Sequence, residues 1–199
     1  MADEELTKNP VLRSVYLALL EILGQDKAED LFKALDIDPQ VLPNSDAHHQ
    51  VINILDQVGN DLEKEYGNMA AQGLLIRSGR AALNFFRRYI PDVAELGSLS
   101  NRLKPVDKRF LTSLESLANL WSRETGWSAS VEMTNRATFK WILQSDAGGN
   151  RYLMAPYFLF GLIEEFCTWL DARKSYQIVY SEPSNGEKAE ISIAVKVQE

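Results

Sequence analysis

The spacing of apolar side chains changes along the chain, first near residue 126. Before that point they recur at the three- and four-residue spacing of amphipathic helices. Asn9 and Pro10 provide a capping residue followed by proline at the first helical position, and Gly24 provides a stop, so the first helix is predicted between them. Further helices are predicted from near residue 26, from a Ser45 cap to about residue 67, over residues 68 to 89, and from about residue 107 to 126.

Beyond this change, apolar and polar side chains alternate, which is the pattern of a half-buried strand. "WSASVEMT" (127–134) and "TFKWILQ" (138–144) predict one hairpin, and alternating segments at 176–180 and 189–197 predict a second. One apolar helical segment, "APYFLFGLIEEFCTWLDA" (155–172), separates the two hairpins. The predicted fold class is α+β, with a helical layer packed on a twisted four-stranded antiparallel sheet and an N-terminal helical arm.

The late helix predicted at 155–172 carries more apolar side chains than one solvent-facing helix requires. One of its sides is predicted to cover the sheet, because it is the nearest helix to both hairpins. Glu164 and Asp171 are predicted to face water, and the remaining apolar residues are predicted to meet the helix at 68–89. The sequence leaves open whether that second contact is dry protein packing or an apolar ligand.

The helix predicted at 68–89 is rich in small residues, including Gly73 and Gly79. A glycine inside a helix costs about 1 kcal/mol relative to alanine, so another backbone or a ligand is expected to approach closely. The same helix carries a basic stripe, which is either a solvated or salt-bridged face or the binding site for the head group of an amphiphile. The stripe consists of Arg77, Arg80, Asn84, Arg87 and Arg88.

Composition excludes several classes of protein. The chain has 199 residues, 45% of them hydrophobic, which fits an ordinary globular protein. Its formal net charge of −7 argues against nucleic acid and against an anionic membrane surface as partners. One cysteine excludes an intramolecular disulfide and a four-thiolate metal site. We expect no membrane span, no secretory signal and a cytoplasmic location.

No catalytic constellation is visible in the sequence. His48 and His49 are adjacent in a polar segment, which does not place a base beside a nucleophile and an orienting acid. Glu164 and Glu165 are consecutive helical positions and therefore point in different directions. Cys167, between apolar neighbours, is best explained as a small buried hydrophobe, with redox sensing as the alternative if it is exposed. We therefore predict a protein that is not an enzyme.

Several segments in order resemble the 4-vinyl reductase domain family, whose members are often called hydrocarbon-binding proteins. They are "LEKEYGNMAAQGLLIRSGRAALNFF" (62–86), "LESLANLWSRETG" (114–126), "FGLIEEF" (160–166) and the closing hairpin. The resemblance covers roughly residues 45 to 197. The family is related to the tethering subunits of the TRAPP complex and, more distantly, to haem nitric-oxide-binding sensors.

The resemblance implies a dimeric α/β domain with an apolar cavity between helices and sheet for a small hydrophobic ligand. Many members also carry cysteines and a histidine around the late helix, and this chain does not. It has "SDAGGNR" (145–151) before that helix, Pro156 and Tyr157 at its start, and Ser181 in the hairpin. We therefore expect no metal site and no cofactor. A haem ligand is not expected either, because His48 and His49 lie outside the predicted pocket.

These interpretations define one leading hypothesis. Residues 1–44 are predicted to form a helical arm, and residues 45–199 a 4-vinyl-reductase-like domain that binds an apolar or amphipathic small molecule, as a homodimer. The alternatives are a protein-interaction module of the tethering type with a closed core, or an accessory protein of tetrapyrrole or pigment metabolism. The predicted ligand-binding residues are Gly73, Leu74, Arg77, Arg80, Phe158, Leu162 and Phe166, with the arginines near a polar head group.

Overall fold

The computed structural model describes residues 9–37, 50–125, 127–135, 138–144, 154–171, 175–181 and 188–196. The predicted cap at Ser45, the adjacent histidines, Gly126 and the loop at 145–151 lie outside the described residues. The helices are α1 (Pro10–Leu23), α2 (Gln25–Lys33), α3 (Gln50–Tyr66), α4 (Asn68–Tyr89), α5 (Pro91–Glu95), α6 (Leu99–Arg102), α7 (Val106–Thr125) and α8 (Ala155–Leu170). The strands are β1 (Ser128–Asn135), β2 (Thr138–Gln144), β3 (Ser175–Ser181) and β4 (Lys188–Lys196).

Helix boundaries follow local signals where the sequence supplies them. The side chain of Asn9 accepts a hydrogen bond of 2.9 Å from the backbone N–H of Leu12 and so caps α1. Gly24 and Gly67 have positive φ angles of 85° and 84°, and each separates two consecutive helices. The short helices α5 and α6 were not predicted from the sequence.

The described strands form one antiparallel sheet in the order β1-β2-β4-β3. β4 therefore pairs with both β2 and β3, although it follows β3 in sequence. The alternation predicted for β2 places Phe139, Trp141 and Leu143 on its buried face. The α+β class with an antiparallel sheet is confirmed, and helices make up most of the described chain.

Two helices share the buried face of the sheet. α7 packs against β1 and β2, and the ring of Phe110 stacks on Phe139 at 6.2 Å and reaches Tyr176 of β3 at 5.5 Å. α8 contacts β3, where Tyr157 meets Tyr180 edge to face at 5.1 Å. The prediction that the late helix covers the sheet was thus incomplete, since α7 covers the first hairpin.

The remaining helices form a further layer around α4, which contacts α1, α3 and α8. Within this layer the guanidinium of Arg13 lies 4.3 Å from the centre of the Tyr89 ring. Buried residues of α1 and α2 belong to the same apolar core as those of α7 and α8. The predicted division at residue 44 lies outside the described residues and stays a prediction. No helix in the described part of the chain has the length and hydropathy needed to cross a membrane.

Candidate functional site

Helices α4 and α8 meet through their backbones at two glycines. A Cβ atom added to Gly79 would lie within 3.0 Å of the backbone at Phe158 and Leu162, and one added to Gly161 would lie within 3.0 Å of the backbone of Ile76. Real Cβ atoms essentially never approach other atoms so closely. The unusual glycine content of α4 is therefore explained at Gly79 by close approach of another helix, with no space for a ligand at that point.

The predicted ligand-binding residues occupy different environments around this crossing. Phe158, Leu162 and Phe166 are fully buried in the core, and the first two lie beside Gly79. Leu74 is partly buried against the same core. Gly73 differs from Gly79, because an added Cβ there would meet no atom within 4 Å. The structure thus brings Phe158 and Leu162 against Gly79, which was not among the predicted site residues, and leaves Gly73 in open space.

The basic stripe of α4 pairs in part with α8. The Nε of Arg80 donates a hydrogen bond of 2.7 Å to the carboxylate of Glu164, and both side chains are partly exposed. The guanidinium of Arg87 lies 4.8 Å from the centre of the Trp169 ring. Arg77 is exposed. The salt-bridging interpretation of the stripe therefore holds for Arg80, which pairs within the chain.

The far end of α8 contains a buried ion pair. The Nη2 of Arg109, at the start of α7, donates to the carboxylate of Asp171 at 2.8 Å, and both side chains are almost completely buried. The hydroxyl of Tyr176 donates to the backbone carbonyl of Asp171 at 2.6 Å. The prediction that Asp171 faces water was wrong, because its partner Arg109 lies 62 residues earlier in the chain and was not visible as a neighbour.

The near end of α8 is capped by another helix. The carboxylate of Asp56 in α3 accepts hydrogen bonds from the backbone N–H groups of Met154 at 2.9 Å and Ala155 at 3.3 Å. α8 has no capping side chain of its own. Burial raises the pKa of Asp56, and the two backbone hydrogen bonds offset only part of that rise. Sequence reasoning missed this residue, since its partners lie about a hundred positions away.

Cys167 lies inside α8 and is fully buried. Burial, with a smaller contribution from Glu164, raises the pKa of its thiol far above the ordinary value. A protonated, inaccessible thiol is neither a nucleophile nor a redox sensor. The interpretation of Cys167 as a small buried hydrophobe therefore agrees with its environment.

A polar cavity of about 740 Å³ lies on the surface between α5, α6 and α7. Some of its polar groups have partners within the chain: the amide of Asn101 donates to the carbonyl of Leu96 at 2.6 Å and to the hydroxyl of Ser113 at 3.0 Å. Arg123 pairs with Glu124 at 2.8 Å. Asn101 and Arg123 are therefore paired without a ligand, and we assign no binding role to this cavity.

Comparison with solved structures finds H-NOX domains. A structure that addresses the molecular mechanism of H-NOX activation has 13% sequence identity and a TM-score of 0.63, over 96% of this chain and 97% of that one. A mutant H-NOX from T. tengcongensis has 12% identity and a TM-score of 0.62, over 96% and 98%. A structure probing the function of haem distortion in the H-NOX family has 13% identity and a TM-score of 0.60, over 96% of both chains.

These matches extend over nearly the whole of both chains and show a likeness of fold. No family model matches this sequence, and no curated protein matches it. The predicted relation to haem nitric-oxide-binding sensors is confirmed at the level of the fold. The 4-vinyl reductase family stays a proposal.

The fold raises the question whether the described residues fit a haem. Haem iron in proteins is commonly held by a histidine imidazole or a cysteine thiolate. The two histidines of the chain, His48 and His49, lie outside the described residues. The thiol of Cys167 is buried and protonated. The described residues thus supply neither an imidazole nor a thiolate, and they do not fit a haem held by either group.

Proposed function

We propose that this chain is a small-molecule-binding domain of the sensor type, without catalytic activity, and that its ligand is apolar or amphipathic. The likeness to H-NOX domains over 96% of the chain supports this proposal, because those proteins are ligand-binding sensors of the same fold. The apolar side chains of α8, which turn into the core beside the sheet, supply a suitable lining. We assign residues 45–199 to this binding domain and residues 1–44 to its helical arm.

The proposed site lies along α4 and α8. Phe158, Leu162 and Phe166 form its apolar part, and Gly73 with Leu74 form its approach at the open half of α4. Arg77 is exposed and is the better candidate for a polar head group, since Arg80 would first have to leave Glu164. We further propose the 4-vinyl reductase family, a homodimer and a cytoplasmic location, as the sequence resemblance implies.

The test is to identify what the purified chain carries. Native mass spectrometry of the full chain is expected to show a mass above that of the polypeptide, and extraction with organic solvent is expected to release a small apolar molecule. A chain that purifies at its polypeptide mass from several expression hosts, and that takes up no apolar probe when offered one, would contradict the proposal.

Gly73 offers a matched pair of variants for locating the site. G73A and G73L both remove a helical glycine, and the structure has room for either side chain at this position. G73L is expected to abolish uptake of the ligand by filling the approach, whereas G73A is expected to retain it. Equal uptake by the two variants, with unchanged circular dichroism, would place the ligand elsewhere.

A second candidate function is a protein-interaction module of the tethering type. The backbone contact at Gly79 and Gly161 favours it, because a closed core at this crossing leaves recognition to the surface. Met69 and Tyr66 are exposed apolar groups at the junction of α3 and α4 and would belong to such a surface. Under this function the chain would take up no ligand, so G73L would behave like the wild type. M69D would weaken self-association measured by light scattering.

A further inference from the structure

Two buried tryptophans have no hydrogen-bond partner for their indole N–H groups. Trp121 in α7 is 2% exposed and Trp141 in β2 is fully buried. Among the described residues, no atom accepts a hydrogen bond from the Nε1 of either tryptophan. Because a buried indole N–H normally finds a partner, and the backbone around it is already paired in helix or sheet, two such groups in one core require an explanation.

Both indoles belong to the layer between α7 and the sheet. Trp141 lies on an inner strand, opposite Val131 of β1 and Ile191 of β4. Trp121 lies near the end of α7, where the adjacent Ser122 hydroxyl accepts a hydrogen bond of 2.8 Å from the backbone N–H of Ala129. Ala129 pairs with the strand position two residues beyond Trp141. The two tryptophans therefore occupy neighbouring parts of the same layer.

The described side chains that pack in this layer are largely apolar, and none of them accepts a hydrogen bond from either indole. α7 contributes Leu114, Leu117 and Ala118 from its buried face, and β2 contributes Phe139 and Leu143. A phenylalanine at either tryptophan position would bury a similar ring without desolvating a donor. A molecule that enters this layer and carries an oxygen would supply the missing acceptor.

We propose that the layer between α7 and the sheet binds a neutral, largely apolar molecule with a carbonyl or ether oxygen, and that the indole N–H of Trp141, with that of Trp121, donates to this oxygen. The inference rests on the proposed function and names the chemistry of its ligand and the place of the ligand's polar atom. It differs from the head-group role of the α4 arginines, because the polar atom lies inside the core.

The charges near the layer favour a neutral ligand. Arg109, the buried cation at the start of α7, is held by the carboxylate of Asp171. A carboxylate ligand would have to be buried without a counter-ion, which is strongly unfavourable. A hydrocarbon without oxygen would leave both indoles unpaired. A ketone, ester or similar molecule satisfies the donors without burying a charge.

The experiment uses the full chain labelled with nitrogen-15 at its four tryptophans, so that each indole N–H gives one nuclear magnetic resonance signal. W121F and W141F assign the two relevant signals. The probes are methyl hexyl ketone, octane and octanoate, which share a chain length and differ in their polar atom. Trp169, which lies on α8 against Arg87, is the internal control.

The ketone is expected to shift the signals of Trp121 and Trp141 and to leave the signal of Trp169 in place. It should bind roughly tenfold more tightly than octane, as expected for a buried donor that gains an acceptor, and more tightly than octanoate. W141F should reduce the preference for the ketone over octane. W121F repeats the measurement should W141F fail to fold.

Equal affinity for ketone and octane, with unshifted indole signals, would overturn the inference and leave the proposed function intact. A buried water as the acceptor would also overturn it. In that case the indole signals of the ligand-free chain would show cross-peaks to water that persist when the ketone is added. Absence of binding by all three probes would contradict the proposed function together with the inference.

Discussion

The α4–α8 crossing and the α7–sheet layer close the same core by opposite means. At the crossing, Gly79 and Gly161 remove side chains so that two helix backbones touch. In the layer, Phe110, Phe139 and Trp141 fill the space with large rings. A backbone contact has no rotamers with which to adjust, whereas side chains can repack around a change. One half of this core is therefore fixed by backbone contact, and the other half can adjust by repacking its side chains.

Adding a side chain at the crossing is expected to have the largest effect. G79L would force several carbon atoms into the backbone of α8, so the loss in free energy of unfolding should exceed about 4–5 kcal/mol, beyond ordinary overpacking. Urea denaturation followed by near-ultraviolet circular dichroism measures it. G73L is the control in the same helix and should retain the wild-type transition. A stable G79L would show that the two helices can separate at little cost.

Breaking the ion pair that joins α7 to the end of α8 should have the next largest effect. R109M leaves the carboxylate of Asp171 buried without its cation, and the free energy of unfolding should fall by about 3–5 kcal/mol. The double variant R109M/D171L removes both charges and should recover most of this loss in the same urea titration. If the single and double variants were equally unstable, the charge on Asp171 would not be the cause.

Replacing an aromatic ring with a smaller side chain in the α7–sheet layer should lower the free energy of unfolding less than adding a side chain at the crossing. F110L removes part of the stack on Phe139 and Tyr176, but neighbouring side chains can move into the space. We expect a loss of about 1–2 kcal/mol in thermal or urea unfolding. A loss as large as that of G79L would contradict the idea that this layer is adaptable.

Asp56 tests how α8 is held at its start. D56A removes the cap from Met154 and Ala155 and should cost about 1 kcal/mol. D56N keeps an acceptor without a charge. Burial raises the folded-state pKa of Asp56 above its ordinary value of 3.8. The stabilisation that comes from this shift is therefore fully present below pH 3.8 and is lost as pH rises through the folded-state pKa.

The pH dependence of D56N follows from this sign. D56N should therefore be at least as stable as the wild type at pH values near neutrality, and should lose this advantage in acid. Urea titrations of both proteins at several pH values measure the difference. If the wild type instead became more stable relative to D56N as pH rises, the pKa of Asp56 would be lowered in the folded state. The hydrogen bonds from the start of α8 would then outweigh the effect of burial.

The smallest effect is expected at the exposed ion pair beside the crossing. R80Q removes a partly exposed pair with Glu164, and the free energy of unfolding should change by less than about 1 kcal/mol, and less still in high salt. The same variant should bind the ligand as the wild type does if the polar atom of the ligand meets the indoles. Loss of ligand uptake in R80Q would place a head group at α4 instead.

Local signals in the sequence predicted much of the helical part of the fold. Asn9, Pro10 and Gly24 define α1 through residues that are adjacent in the chain, and alternation alone placed Phe139 and Trp141 on one face of β2. The helices α5 and α6 were missed because five and four residues are too short for a periodic pattern.

The candidate site was less predictable, because its decisive contacts join distant residues. The small residues of α4 indicated close approach, but nothing in the spacing distinguishes Gly79, which touches α8, from Gly73, which does not. Asp171 was expected in water because its partner Arg109 belongs to another helix. Whether the indole N–H of Trp141 has an acceptor depends on the atoms that surround it in the folded structure, which the hydrophobic pattern of the sequence does not specify.

The strand order also has a consequence for the order of assembly. β4 lies between β2 and β3, so the ribosome releases β1, β2, α8 and β3 before the strand that joins them exists. Until residues 188–196 emerge, no strand connects the first hairpin to β3. The edge of β2 that pairs with β4 is then without a partner. Ribosome-stalled chains that end before residue 188 should therefore depend on chaperones to stay soluble. Chains whose residues 188–196 have left the ribosome should not.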